Sequence, residues 1–193
     1  MDGVNEKRDH EPGDRDRAPG RLEILQAFLN TANIEAGTDL FSAPEAVARW
    51  FIDRGLVDAV DVDPVGMGES VAFREAVREL LAARHDGTEP PAHVTAALDM
   101  VARRAAVSVR VDDDGSLVAV ASADGLEGAL GRLLLIALEA SSSGDWQRLK
   151  VCTNQGCRWA FWDRSRNRAG RWCTMSLCGN QAKVRAHRER RRQ

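Results

Sequence analysis

The chain has 193 residues, a formal net charge of −2 and 44% hydrophobic residues; this suffices for one domain with a proper core and a small appendage. No apolar run approaches the roughly 18–20 residues of a membrane span, and the polar, acidic N-terminus lacks the basic and apolar regions of a secretory signal, so a cytoplasmic protein with no membrane partner is expected. The small net charge hides a division: residues 148–193 carry 13 Lys+Arg against 2 Asp+Glu, a balance of +11, and the first 147 residues carry 14 against 27, a balance of −13. Two halves of opposite sign imply two jobs, one of them with a polyanion.

Residues 1–20 hold ten charged side chains and two prolines. Such a segment buries too little apolar surface to offset its ordering entropy, so a disordered tail is expected there. From Arg21 the pattern becomes helical. Leu22, Leu25, Phe28, Leu29 and Ala32 form one stripe, with Gly37 as the predicted end. Ser42, with Pro44 in the first turn and Glu45 three residues on, reads as a capping box opening a second helix. Its apolar face is Val47, Trp50 and Phe51. A third helix is predicted over roughly 68–84, and Val94, Ala97, Leu98 and Val101 mark a fourth. Val107, Val109 and Val111 alternate with Ser108 and Arg110, as in a strand with one buried face. Asp112-Asp113-Asp114-Gly115 is a turn, and Leu117 to Ala121 returns as the second strand. A fifth helix, from Asp124-Gly125 to about Ala140, is apolar all round at Leu133–Ile136 and therefore central. Residues 21–143 thus read as a mainly helical domain with one β-hairpin, an α+β class, and nothing in their periodicity names a ligand.

The stretch Phe28-Leu29-Asn30-Thr31, then Asp39-Leu40, Pro44 and Trp50, resembles the ABATE domain, which stands ahead of CGNR zinc fingers in bacterial stress-induced transcription regulators. Asn30, Thr31 and Asp39 have two readings. They cap helix ends and hold the loop between them, or they are polar groups of a small-molecule pocket. A small-molecule or protein effector at this domain, and homodimer formation through it, stay open.

All four cysteines lie in the last quarter: Cys152, Cys157, Cys173 and Cys178, two C-x4-C pairs with fifteen residues between. Without a secretory signal such a cluster reads as metal ligands rather than disulfides. Four thiolates suit one tetrahedral Zn2+ at about 2.3 Å, and a site closed by four sulfurs is structural rather than catalytic. Redox switching by zinc release is a possible secondary property. Trp159 to Trp162 reads as a strand and Asp163 to Gly170 as a charged turn. Arg171-Trp172 leads back to the third cysteine, and a helix then begins around Cys178, giving knuckle, hairpin and helix in a treble-clef-like plan.

Trp159, Phe161, Asp163, Ser165, Arg171-Trp172-Cys173, Met175, Cys178-Gly179-Asn180, Lys183 and Arg185 strongly resemble the CGNR zinc finger, here over 148–193. One residue departs: Gln181 stands where the motif has Arg, and a contact of that Arg to phosphate or to Asp163 would be lost. Arg164, Arg166, Arg168 and Arg171 in the hairpin, with Asn180, Gln181, Lys183, Arg185, His187, Arg188, Arg190 and Arg191 in the helix, form the candidate nucleic-acid surface. DNA is preferred to RNA through the resemblance. The alternative is a zinc-dependent adaptor whose basic module binds a protein or the chain's own acidic domain. No nucleophile, glycine-rich phosphate loop or marked carboxylate pair is present, so no enzyme is expected.

Overall fold

The structure is a computed structural model, and it describes residues 15–191. Helix α1 (Leu22–Leu29) buries Leu22, Leu25, Phe28 and Leu29. It is shorter than its stripe predicts. The chain turns at Asn30 and Thr31 into a two-residue ladder, β1 (Ala32–Asn33) with β2 (Thr38–Asp39), and Gly37 lies in that ladder's turn, not at a helix end. Helix α2 (Pro44–Asp53) starts at an extended Ala43 with no side-chain cap, so the expected box on Ser42 does not form. The fixed φ of Pro44 at the first helical position serves instead.

Helix α3 (Pro64–Asp86) opens where Asp63 Oδ1 accepts the Gly66 N–H at 2.7 Å, and it closes at Gly87 with φ 68°. Helices α4 (Ala92–Arg104) and α5 (Gly125–Ser143) complete the helical layer. Phe28 is the centre of the aromatic core, with ring centroids of Phe41, Trp50, Phe51 and Phe73 at 5.5–6.1 Å.

Strands β3 (Val107–Val111) and β4 (Leu117–Ala121) pair antiparallel, with Val107 opposite Ala121 and Val111 opposite Leu117. The expected buried face is absent over most of this hairpin: Val109, Val111 and Leu117 are 67%, 69% and 75% exposed. Only its base packs. A Cβ on Gly131 of α5 would lie 2.4 Å from Ala105 Cβ and 2.8 Å from Ala121 Cβ, so the glycine is what allows the hairpin base so close to α5. Beyond that contact the strands run past the helices.

A third ladder joins β5 (Leu149–Val151) and β6 (Ala160–Trp162). The predicted strand at 159–162 therefore pairs backward, around the first knuckle, and not with Arg171-Trp172. Its alternation serves two cores. Leu149, Val151 and Ala160 join the helical core, with Trp162 packed against it, while Phe161 and the adjoining Trp159 pack among the four cysteines.

Residues 15–20 are placed too, which corrects the expectation of disorder for that part of the 1–20 tail; 1–14 lie outside the described residues. Ala18 is buried and its N–H donates to Gln26 Oε1 at 2.6 Å. Asp16 O accepts from Trp162 N at 3.2 Å and from Gln26 Nε2 at 3.0 Å. This arm lies against β6.

Candidate metal centre and its basic surface

The four thiols converge because three local structures aim them inward. After β5, Asn154 O accepts the N–H groups of Cys157 and Arg158, both at 2.9 Å, closing a knuckle that turns Cys157 back towards Cys152. Cys173 follows the returning chain. Cys178 sits in a wide turn, Met175–Gly179, whose start is capped by Thr174 Oγ1 accepting Leu177 N–H at 3.3 Å. Helix α6 (Asn180–Arg190) continues from it.

All four sulfurs lie within 4.8 Å of one another and all four residues are buried. Cys157–Cys173 and Cys173–Cys178 are separated by 3.6 and 3.7 Å. A tetrahedron of sulfurs at about 2.3 Å from one zinc has edges of about 3.8 Å, whereas a disulfide needs about 2.05 Å. The donor set fits a tetrahedral metal, with no fifth direction left open.

The thiols share charge accordingly. Donors from Cys157, then Cys173, hold the Cys152 thiol far below its ordinary range, to about 4, helped by the backbone N–H groups of Cys173 and Asn154. The contacts with Cys152 and Cys173 push Cys157 upward. Asn154 Nδ2 points at Cys178 Sγ, at 3.5 Å, and also donates to Gln181 Oε1 at 3.0 Å. Gln181 thus anchors the amide that faces the Cys178 sulfur. Neither Asn154 nor this use of Gln181 was evident from cysteine spacing; only the position of Asn154 inside the knuckle hinted at it.

The basic loop stands on a buried ion pair. Lys150 Nζ lies 2.8 Å from Asp163 Oδ2, with the side chains 6% and 4% exposed. Lys150 also donates to the carbonyls of Arg168 and Gly170. Asp163 accepts from Ser165 N at 2.9 Å and Gly170 N at 2.8 Å. A Cβ on Gly170 would come within 2.8 Å of that carboxylate, so residue 170 has to be glycine for the loop to close. Burial alone would raise the Asp163 carboxyl, but Lys150 and these N–H donors hold it down to about 2. Asp163 is therefore satisfied by Lys150, and its partner is not residue 181.

Arg166, Arg168 and Arg171 are exposed around this loop, as are Asn180, Gln181, Lys183, Arg188 and Arg191 on and beside α6. Arg164 is exposed but tied, its Nε 3.1 Å from Asp16 Oδ1. The side chains of Arg185, His187 and Arg190 lie outside the described part.

Asn30, Thr31 and Asp39 all hydrogen-bond within the chain, and Asn30 also lines a shallow cleft with Arg15, Gln26 and Trp159. Asn30 Oδ1 accepts Ala160 N–H and Nδ2 donates to Ala160 O, both at 2.8 Å, so the side chain completes the edge of β6. Arg74 donates to Thr31 Oγ1 at 2.9 Å and clasps both oxygens of Asp39 at 2.9 and 2.7 Å. A separate apolar cavity of about 80 Å³ lies between α3, α4 and α5, lined by Phe73, Met100, Val101, Leu126 and Leu130. At its rim Arg104 binds Glu69 at 2.6 Å and Glu127 at 2.8 Å, so both carboxylates are committed to one guanidinium.

Among the described residues no helix is long and apolar enough to cross a membrane. A comparison with curated proteins returns no match. Two family models match in tandem: residues 23–143 fit the ABATE model, described as "Putative stress-induced transcription regulator", and residues 148–191 fit the CGNR zinc finger. Both are regulator or zinc-finger types rather than enzymes. With more than half its length matched by the first model and the clustered thiols inside the second, the chain belongs to the ABATE family of regulators and ends in a CGNR zinc finger.

Proposed function

We propose that this protein is a cytoplasmic DNA-binding transcription regulator, in which one structural Zn2+ on Cys152, Cys157, Cys173 and Cys178 holds a basic loop and helix in fixed relation. The observation that carries the reading is the loop 164–170, closed by the buried Lys150–Asp163 pair with Arg166 and Arg168 turned to solvent. Together with Arg171, Lys183, Arg188 and Arg191 it is a surface of guanidinium and ammonium groups on a rigid base, suited to phosphates. Zinc acts as a cross-link; with all four thiols spent it has no open position for water. Metal analysis is expected to give one zinc per chain. Zinc-loaded protein is expected to bind duplex fragments at low salt, with affinity falling steeply as salt rises. No binding to a genomic fragment pool under those conditions overturns the reading.

For the helical domain, one feature supports an associating role: the exposed apolar face of β3–β4 offers a surface for a homodimer. A second reading, an adaptor whose basic module is covered by acidic protein, draws on the arm: Asp16 holds Arg164, and Arg15 lies over Trp159 at 5.1 Å. Asp16→Ala separates the two. A rise in DNA affinity marks the arm as a cover, and an unchanged affinity removes it.

A further inference from the structure

A polar cleft of about 200 Å³ opens where the C-terminal end of α3 meets the first cysteine knuckle. His85 and Asp86 come to it from α3, Thr153, Gln155 and Arg158 from the knuckle, and Arg171 from the returning chain. At about 30 Å³ per water it holds roughly six, ample room for a tetrahedral oxyanion.

Arg158 is the group in need of a partner. Its backbone takes φ 49°, uncommon for a residue with a side chain, and its N–H is fixed to Asn154 O at 2.9 Å. Its guanidinium has no hydrogen bond or ion pair among the described residues, and Nε is buried without an acceptor. Arg158 lines the cleft with no carboxylate partner among the described residues, so an anion there meets a cation whose charge is not offset. Arg171, exposed, is likewise without an ion-pair partner among the described residues. Asp86 is the one carboxylate among the residues lining the cleft.

The surroundings add positive potential. Arg84 spends its N–H groups on the carbonyls of Trp146 and Leu149, so no carboxylate offsets its charge. The His85 ring registers this: burial first, then Lys150, with Asp86 opposing, and then Arg171 and Arg84, hold it below its ordinary range. Guanidinium groups without carboxylate partners, next to a neutral amide and hydroxyl, match the geometry of phosphate oxygens.

We propose that the cleft between α3 and the knuckle is a phosphate-binding site, with Arg158 as its principal ligand and Arg171 and Gln155 at its rim. The site draws on both the helical domain and the zinc module, so an anion there bridges them. Two sources carry the same chemistry: a backbone phosphate of a nucleic acid, which rests on the DNA-binding reading above, or a phosphate on a small molecule, which does not.

The test uses the zinc-loaded full chain as wild type, Arg158→Gln, Arg158→Lys and Arg171→Gln, each checked for zinc content and thermal unfolding. Calorimetry with inorganic phosphate, against chloride at equal ionic strength, is expected to show saturable one-to-one binding to wild type. Arg158→Gln is expected to weaken it at least tenfold, Arg171→Gln less, and Arg158→Lys is expected to recover part. In a second arm, duplex binding is followed over a salt series. Where the duplex backbone is the source, Arg158→Gln lowers the slope of log K against log salt by about 1, and inorganic phosphate competes with the duplex. Where the source is small, that slope is unchanged while phosphate binding is lost. Phosphate binding equal in wild type and both Gln variants overturns the proposal. So does an absence of phosphate binding together with an unchanged salt slope. Duplex binding that fails in wild type while phosphate still saturates the cleft counts against the DNA reading alone.

Discussion

Two antiparallel ladders of alternating sequence, β3–β4 and β5–β6, end in opposite environments. In β5–β6 both faces are covered: Leu149 and Ala160 are fully buried against the helices, and Phe161 is 4% exposed among the cysteines. In β3–β4 the apolar face formed by Val109, Val111 and Leu117 stands in solvent. Alternation defines two faces of a strand, but cover comes from elements far away in sequence. The β5–β6 ladder has α1 and α3 on one side and a metal-sized thiol cluster on the other. For β3–β4, Gly131 and Ala105 meet only the base. Substitutions on β5–β6 should therefore cost folding free energy, and those on β3–β4 should change association.

The largest effect is expected from removing a thiol beneath β6. Cys157→Ser leaves three sulfurs and takes away the backing of Trp159 and Phe161. Structural zinc sites in small modules are worth on the order of 10–16 kcal/mol of coupled binding and folding. Metal content should fall from one to none. Because Ala160 and Trp162 of the same strand face the helical core, the helical domain should also melt at a lower temperature. An unchanged melting temperature for the helices would show that the two cores are independent.

At the edge of the same ladder, Asn30→Ala removes both hydrogen bonds to Ala160 and leaves its buried N–H without an acceptor, while Gln26 Nε2 still serves the carbonyl at 3.2 Å. Lost bonds plus one orphaned donor cost about 2–4 kcal/mol, which for a chain of this size lowers Tm by on the order of 10 °C. Asn30→Asp keeps the acceptor but sets a carboxylate oxygen against the Ala160 carbonyl in a buried site, so it should not restore wild-type stability. A melting curve identical to wild type for Asn30→Ala would place the coupling of the modules elsewhere.

Acid should loosen the loop on the other face. Asp163 has a folded-state value of about 2 against an ordinary 3.8. A depressed carboxyl contributes stability that is present above its unfolded value and lost as pH falls through its folded one. The stability gap between wild type and Asp163→Asn should thus be full above about pH 4 and close towards pH 2. Zinc content followed in parallel separates this closure from the zinc release that protonation of the thiolates brings to both proteins. A gap constant from pH 5 to pH 2 would mean that the carboxylate does not carry this loop.

Much of this division was legible in the chain, and most of the failures share a cause. The helices α2 to α5, the two strands β3 and β4 with their turn, and the cysteine cluster follow from local periodicity and spacing. The Ser42 box failed locally, at an extended Ala43 before Pro44, but the other misread features depended on distant partners. Helix α1 stops at Leu29 because Asn30 is drawn to Ala160, 130 residues away. Strand β6 pairs with Leu149–Val151 rather than forward. Lys150 and Asp163, two charged residues whose burial no pattern announces, meet only once both strands are in place. Arg158 stood in the sequence as one basic residue among thirteen in the C-terminal segment; its buried Nε and its cleft exist only in the fold.

The smallest effect on stability is expected on the exposed ladder. Leu117 is 75% exposed and pairs with Val111 near the hairpin tip, so Leu117→Lys removes little buried area and should change monomer stability by no more than about 0.5 kcal/mol. Its effect should appear in association instead. If the apolar face joins two copies, wild type sediments as a dimer at micromolar concentration and Leu117→Lys as a monomer with the same melting temperature at low concentration. A charge placed in such an interface is desolvated without a partner, which disfavours the dimer far more than the lost methyl groups alone would. Wild type that stays monomeric at every concentration would assign this face no role in self-association, and a large loss of monomer stability in Leu117→Lys would mean that the hairpin is covered by the chain itself.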